Sequence, residues 1–113
     1  MHEMALCEGV LDIIAEEATR QRFARVRAVR LEIGALSHVE PEAMRFCFDA
    51  VSRGTIAESA RFEVIEVPGE AWCMNCSKPV AIARRFDPCP ACGGYKLQVT
   101  GGDALRVKDL EVV

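Results

Sequence analysis

Excess positive charge, aromatic rings and histidine are all scarce in this 113-residue chain. Its formal net charge is −3 and its pI is near 5.4. That balance argues against a general nucleic-acid binder. Two histidines, His2 and His38, cannot credibly support a Ser/His/Asp set. There is no G-x-G-x-x-G and no P-loop, so an enzyme is not expected. No apolar run approaches membrane-spanning length, and no membrane partner is expected. The opening Met1-His2-Glu3-Met4 lacks the basic n-region and apolar h-region of a signal peptide. The expectation is a cytoplasmic chain, whose cysteines serve thiolate–metal chemistry and not a disulfide framework.

What the chain does have is sulfur in pairs. Cys73/Cys76 and Cys89/Cys92 form two Cys-x-x-Cys motifs, separated by the spacer Ser77–Pro88. This spacing predicts one tetrahedral Zn(Cys)4 site, with two thiolates from each knuckle and a hairpin between them. Asn75 and Ser77 suit a turn around the first pair. Pro88, Pro90 and Gly93-Gly94 suit the second, where backbone amides must point at sulfur. The competing readings are two disulfides or a redox dithiol. Four sulfur ligands leave no open coordination position, so the zinc would be structural. The two remaining cysteines, Cys7 and Cys47, sit in helical apolar patterns and read as small buried core residues.

The rest of the chain alternates helix and strand. Leu6, Val10, Ile13 and Ile14 predict a helix from Glu3 to about Arg20. Val29, Leu31 and Ile33 alternate with Arg30 and Glu32 in a strand from Val26 to Ile33, ended by Gly34. Pro41 suits the first position of a helix carried by Met44, Cys47, Phe48 and Val51 and stopped by Gly54. Arg61 to Val67 is a second strand. A last one runs from Ala104 to Val112, with a change of phase near Asp109 that suggests a bulge or bend. The expected fold is α+β: a small three-stranded sheet with two helices on one face, plus an inserted zinc-ribbon-like module. Residues 1–68 and 101–113 would form the main domain. Residues 69–100 would form the module, which has few large apolar residues and needs metal to hold it together.

The N-terminus offers a second metal site. In a chain starting at Met1, the free α-amine, the His2 amide nitrogen and the His2 imidazole can chelate one ion in fused rings. The Glu3 amide or carboxylate can complete a fourth position. Nitrogen-rich, near-planar coordination is the geometry preferred by Ni(II) and Cu(II). A frayed, exposed terminus is the competing reading. For His38, in a loop, a surface residue is the default.

Several stretches occur together: Met1-His2-Glu3-Met4-Ala5-Leu6, the run from Gly34 to Phe46 (GALSHVEPEAMRF), Cys73-Met74-Asn75-Cys76, and Cys89-Pro90-Ala91-Cys92-Gly93-Gly94. In this combination the chain resembles, end to end, the HypA/HybF family of hydrogenase nickel-insertion accessory proteins. The resemblance implies a metallochaperone that carries Ni(II) as cargo and helps deliver it to the large subunit of [NiFe]-hydrogenase. It further implies work with a HypB-type GTPase and, in some organisms, with urease accessory proteins. By position, His2, Met1 and Glu3 would hold nickel, and Cys73, Cys76, Cys89 and Cys92 would hold structural zinc.

Two alternatives stay beside this reading. One is a zinc-ribbon adaptor binding protein or nucleic acid, since Lys78, Arg84, Arg85 and Lys96 give the module a basic tinge. The other is a redox protein using its Cys-x-x-Cys pairs.

Overall fold

The element order is α1 (His2–Gln21), β1 (Val26–Gly34), α2 (Pro41–Val51), β2 (Arg61–Val67), β3 (Gly69–Cys73), β4 (Lys78–Ile82), β5 (Leu97–Gly101) and β6 (Leu105–Val112). It was obtained from a computed structural model that describes residues 2–113. The strands form two three-stranded sheets, ordered β2-β1-β6 and β4-β3-β5. The chain divides into two compact units. One takes the segment through Leu31, Val39–Val64 and Val107–Val113; the other takes Glu32–His38 and Ile65–Arg106.

In the first unit the helices form for local reasons. The carboxylate of Glu40 caps α2 by accepting from the Glu42 amide at 3.2 Å, and Pro41 opens the helix. Helix α1 ends where Arg22 turns left-handed (φ 60°) and its amide bonds back to the Ala18 carbonyl at 2.8 Å. Cys7, Val10 and Ile14 of α1 and Met44 and Phe48 of α2 are buried with Val26, Val29 and Leu31 of β1. Phe48 meets Phe62 of β2 with ring centroids 5.1 Å apart, and the Arg45 guanidinium lies 5.5 Å from the Phe62 centroid. Burying each such side chain stabilises by about 1.5–3 kcal/mol.

The opposite sheet face carries charge. Arg30 pairs with Glu63 at 3.0 Å, Asp109 at 2.8 Å and Glu111 at 3.3 Å, and Arg61 bridges Glu63 and Glu111. The expected change of phase in β6 is visible in its burial: Lys108 and Asp109 are both exposed, breaking the alternation set by Leu105 and Val107.

The second unit is richer in structure than the turn-rich, metal-held module expected from its sequence. Strand β3 is central, pairing antiparallel with β4 and with β5. Its buried positions, Ala71 and Cys73, join Val80, Ile82, Cys89 and Leu36 in a small apolar core. Leu36 comes from the loop after β1. Its amide donates to the Gly102 carbonyl at 2.7 Å, and the Ala35 amide donates to Val67 at 2.9 Å. Gly102 sits at φ 75° against Pro68 and Gly69, with no room for a Cβ.

Candidate metal centre

Antiparallel pairing puts Cys73 opposite Lys78, so the first Cys-x-x-Cys motif is the tip of the β3–β4 hairpin. The second lies in the connection from β4 to β5. The two knuckles repeat one backbone device. Ser77 donates from its amide to the Cys73 carbonyl at 2.8 Å, and Gly93 donates to the Cys89 carbonyl at 2.8 Å. Both residues that follow the second cysteine are left-handed, Ser77 at φ 53° and Gly93 at φ 75°. Each turn aims amides at sulfur: Cys76 N–H at Cys73 Sγ, Ala91 N–H at Cys89 Sγ and Gly94 N–H at Cys92 Sγ, all at 3.4 Å. Such donors stabilise thiolate charge.

The four sulfurs lie within 4.8 Å of one another, with Cys73–Cys92 at 3.8 Å and Cys76–Cys89 at 4.0 Å. A zinc–sulfur bond of about 2.3 Å sets tetrahedral edges near 3.8 Å. A disulfide needs about 2.05 Å, and all six cysteines are free thiols. The donor set therefore fits a closed structural zinc ion and leaves no ligand position for substrate. Cys73 and Cys89 are buried, Cys76 is half-buried and Cys92 is exposed. The backbone amides of Cys92 and Ala91 hold the Cys89 thiol down at about 6. Hydrogen bonding to the sulfurs of Cys92 and Cys73, with some desolvation, pushes Cys76 up to about 12.

The expected nickel ligands lie at the start of α1. His2 is its first residue, so the His2 amide has no intrahelical acceptor. The His2 imidazole is 56% exposed and its Nε2 stands 3.8 Å from Glu3 Oε2. Imidazole nitrogen binds a first-row ion at about 2.0–2.1 Å, so two donors on one ion are at most roughly 4 Å apart. Met1, the third expected contributor, lies outside the described residues. His38 is exposed in its loop, as expected, at φ 61°. Among the described residues, the four cysteines are the only group of three or more His, Cys, Asp or Glu side chains close enough to share an ion. Cys7 is a core residue as expected. Its thiol donates to the Met44 carbonyl at 3.4 Å, and burial pushes it up to about 11. Cys47 is half-buried. Sequence reasoning missed Leu36 and Arg85 as supports of the centre; nothing in their local pattern marks them.

With this geometry in hand, comparison with known proteins is decisive. Residues 1–112 match the profile of a family described as hydrogenase/urease nickel incorporation, metallochaperone, hypA. The chain belongs to the HypA family. It is 69% identical over 112 residues to a hydrogenase maturation factor HypA of Rhodopseudomonas palustris strain BisA53, covering 99% of both chains. The HypA of strain BisB5 is 70% identical with the same coverage, and that of Azotobacter vinelandii 57%. The solution structure of the nickel metallochaperone HypA from Helicobacter pylori superimposes with a TM-score of 0.72 over 100% of this chain and 98% of its own, at 20% identity. A second HypA solution structure gives 0.74. They share the fold of this chain, with its two helices and two small sheets. HypA proteins are metallochaperones acting in hydrogenase maturation. No helix among the described residues is long and apolar enough to cross a membrane.

Proposed function

We propose that this HypA-family chain binds Ni(II) at its N-terminus and delivers it to the large subunit of [NiFe]-hydrogenase during maturation. His2 supplies the side-chain ligand, with the Met1 amine and Glu3 completing the set. The observation that carries this reading is the pairing of His2 Nε2 and Glu3 Oε2, 3.8 Å apart on the first turn of α1. His2 is exposed and the site is built partly from main-chain nitrogen, so a partner can approach and exchange ligands. Cys73, Cys76, Cys89 and Cys92 hold one zinc ion in a module of residues 69–100. Residues 1–68 and 101–113 form the nickel-binding domain. A HypB-type GTPase is the working partner, urease accessory proteins are further partners, and the setting is cytoplasmic. The chain itself catalyses no reaction and binds no nucleic acid.

The test is metal analysis and Ni(II) titration of untagged protein beside His2→Ala. One zinc per chain with nickel binding lost in the variant supports the assignment. Equal nickel affinity in parent and variant removes His2 from the site, and zinc without specific nickel binding turns the reading toward a zinc-ribbon adaptor.

A further inference from the structure

The sheet β4-β3-β5 has one face turned in and one turned out. Ala71 and Cys73 of the central strand are buried, and Trp72 between them is 42% exposed. Register places Pro79 of β4 and Gln98 of β5 on either side of Trp72, on the same face. Just past the strand, Met74 is 56% exposed, and its amide donates to the Lys96 carbonyl at 3.0 Å. That bond continues the register and sets Lys96 opposite Met74, on the face of Trp72. An indole and a thioether thus share one open face with Lys96. Aromatic and Met side chains grouped this way mark protein interaction sites.

Charge selects the partner. From Gly69 to Thr100 there are four basic side chains (Lys78, Arg84, Arg85 and Lys96) against two acidic ones, Glu70 and Asp87. Both carboxylates are engaged locally. Glu70 accepts from the Thr100 hydroxyl at 3.1 Å, and Asp87 accepts from the Arg84 amide at 3.0 Å. Among the described residues, neither Lys78 nor Lys96 makes an ion pair. Strand β5 is the outer strand of its sheet, so its free side offers backbone groups to an added strand.

We propose that this face docks an extended, acidic segment of the client polypeptide. Apolar side chains of that segment lie on Trp72 and Met74, its carboxylates meet Lys96, and its backbone runs along β5. The proposal rests on the reading that the chain serves a client enzyme, but not on where nickel binds. Single-stranded RNA fits less well. The chain carries net charge −3, and Arg85 is spent on the Leu36 carbonyl and Asp103. Few cations remain for phosphates.

The experiment uses the zinc-loaded full chain as analyte over an immobilised, nickel-free [NiFe]-hydrogenase large subunit. Trp72→Ala should weaken association by about tenfold or more, the effect of losing a central aromatic anchor. Trp72→Phe should recover most of it, and Lys96→Glu should weaken association and flatten its salt dependence. These variants should keep one zinc per chain and parental nickel affinity, whereas His2→Ala should lose nickel and keep the association. Undiminished association of both Trp72→Ala and Lys96→Glu overturns the proposal. If Trp72→Ala loses zinc, Lys96→Glu decides alone. Docking that depends on Trp72 in a chain with no specific nickel site would sink the nickel assignment and leave this face standing. Salt-sensitive binding of oligouridine through the same residues, with none to the large subunit, overturns the proposal in favour of RNA.

Discussion

Arg85 Nε donates to the backbone carbonyl of Leu36 at 3.2 Å, tying the connection after β4 to the loop after β1. The Leu36 side chain is itself buried with Cys73 and Cys89. A loop far from the cysteines in sequence is thus part of what packs around them. Leu36→Ala should destabilise this unit by about 2–5 kcal/mol, the range for emptying a buried leucine site. Arg85→Ala should cost about 1 kcal/mol, the net worth of one hydrogen bond. Chemical denaturation of the zinc-loaded chain reads both. Equal effects would mean that Leu36 contributes only its carbonyl.

Gly102 offers a sharper backbone test. It is left-handed, and a Cβ there would run into Pro68 and Gly69. Gly102→Ala should lose about 1–3 kcal/mol or more, because strain and steric conflict add. A variant with an unchanged melting temperature would show that the Pro68–Gly69 corner yields without cost.

Proton release on zinc loading follows from the thiols. The Cys89 thiol is held at about 6, while Cys76 is pushed up to about 12. In the metal-free chain Cys89 should therefore lose its proton at lower pH than Cys76. Zinc titration calorimetry in buffers of different ionisation enthalpy should show less than one proton released per cysteine. The sign for folding is fixed too. A depressed Cys89 contributes stability that is complete above the ordinary thiol range and lost as pH falls through about 6. Thiolate absorbance at pH 7 in the metal-free chain should fall more in Cys89→Ser than in Cys76→Ser.

The lattice around Arg30 predicts salt dependence. Its guanidinium serves Glu63, Asp109 and Glu111 on three strands. Arg30→Ala should lower the urea midpoint modestly at low ionic strength, with a smaller difference in about 1 M salt, where screening acts over roughly 3 Å. Glu63 is held below the usual carboxylate range, first by Arg61 and also by Arg30. The stability it lends is present at neutral pH and lost as pH falls through its lowered value. A difference independent of salt would assign Arg30 a packing role instead.

Much of this was legible in the chain itself. Period and punctuation located both helices and the strands of the first sheet: Pro41 opens α2 as expected, and β2 spans Arg61–Val67 as expected. Helix α1 starts one residue earlier, at His2. The four cysteines announced their own geometry, because a fixed spacing around two turns admits few arrangements. The second sheet was harder. Strands β3, β4 and β5 are five residues each, and their inward positions include Ala71 and Cys73, too small to signal a buried face. Leu36 was illegible for a different reason. A lone leucine between Ala35 and Ser37 has no periodic neighbour, and its partners are far away along the chain.

The repeated turn at the two knuckles also bears on how the zinc ion is captured. Each turn closes within a few residues through its own amide bonds, and contacts of that span form in microseconds. Two half-sites can therefore exist before metal arrives, each a ready bidentate claw. If the claws load in turn, one takes the ion first and the other closes onto it in a separate step. Rapid mixing should resolve two kinetic phases, only the first of them scaling with zinc concentration.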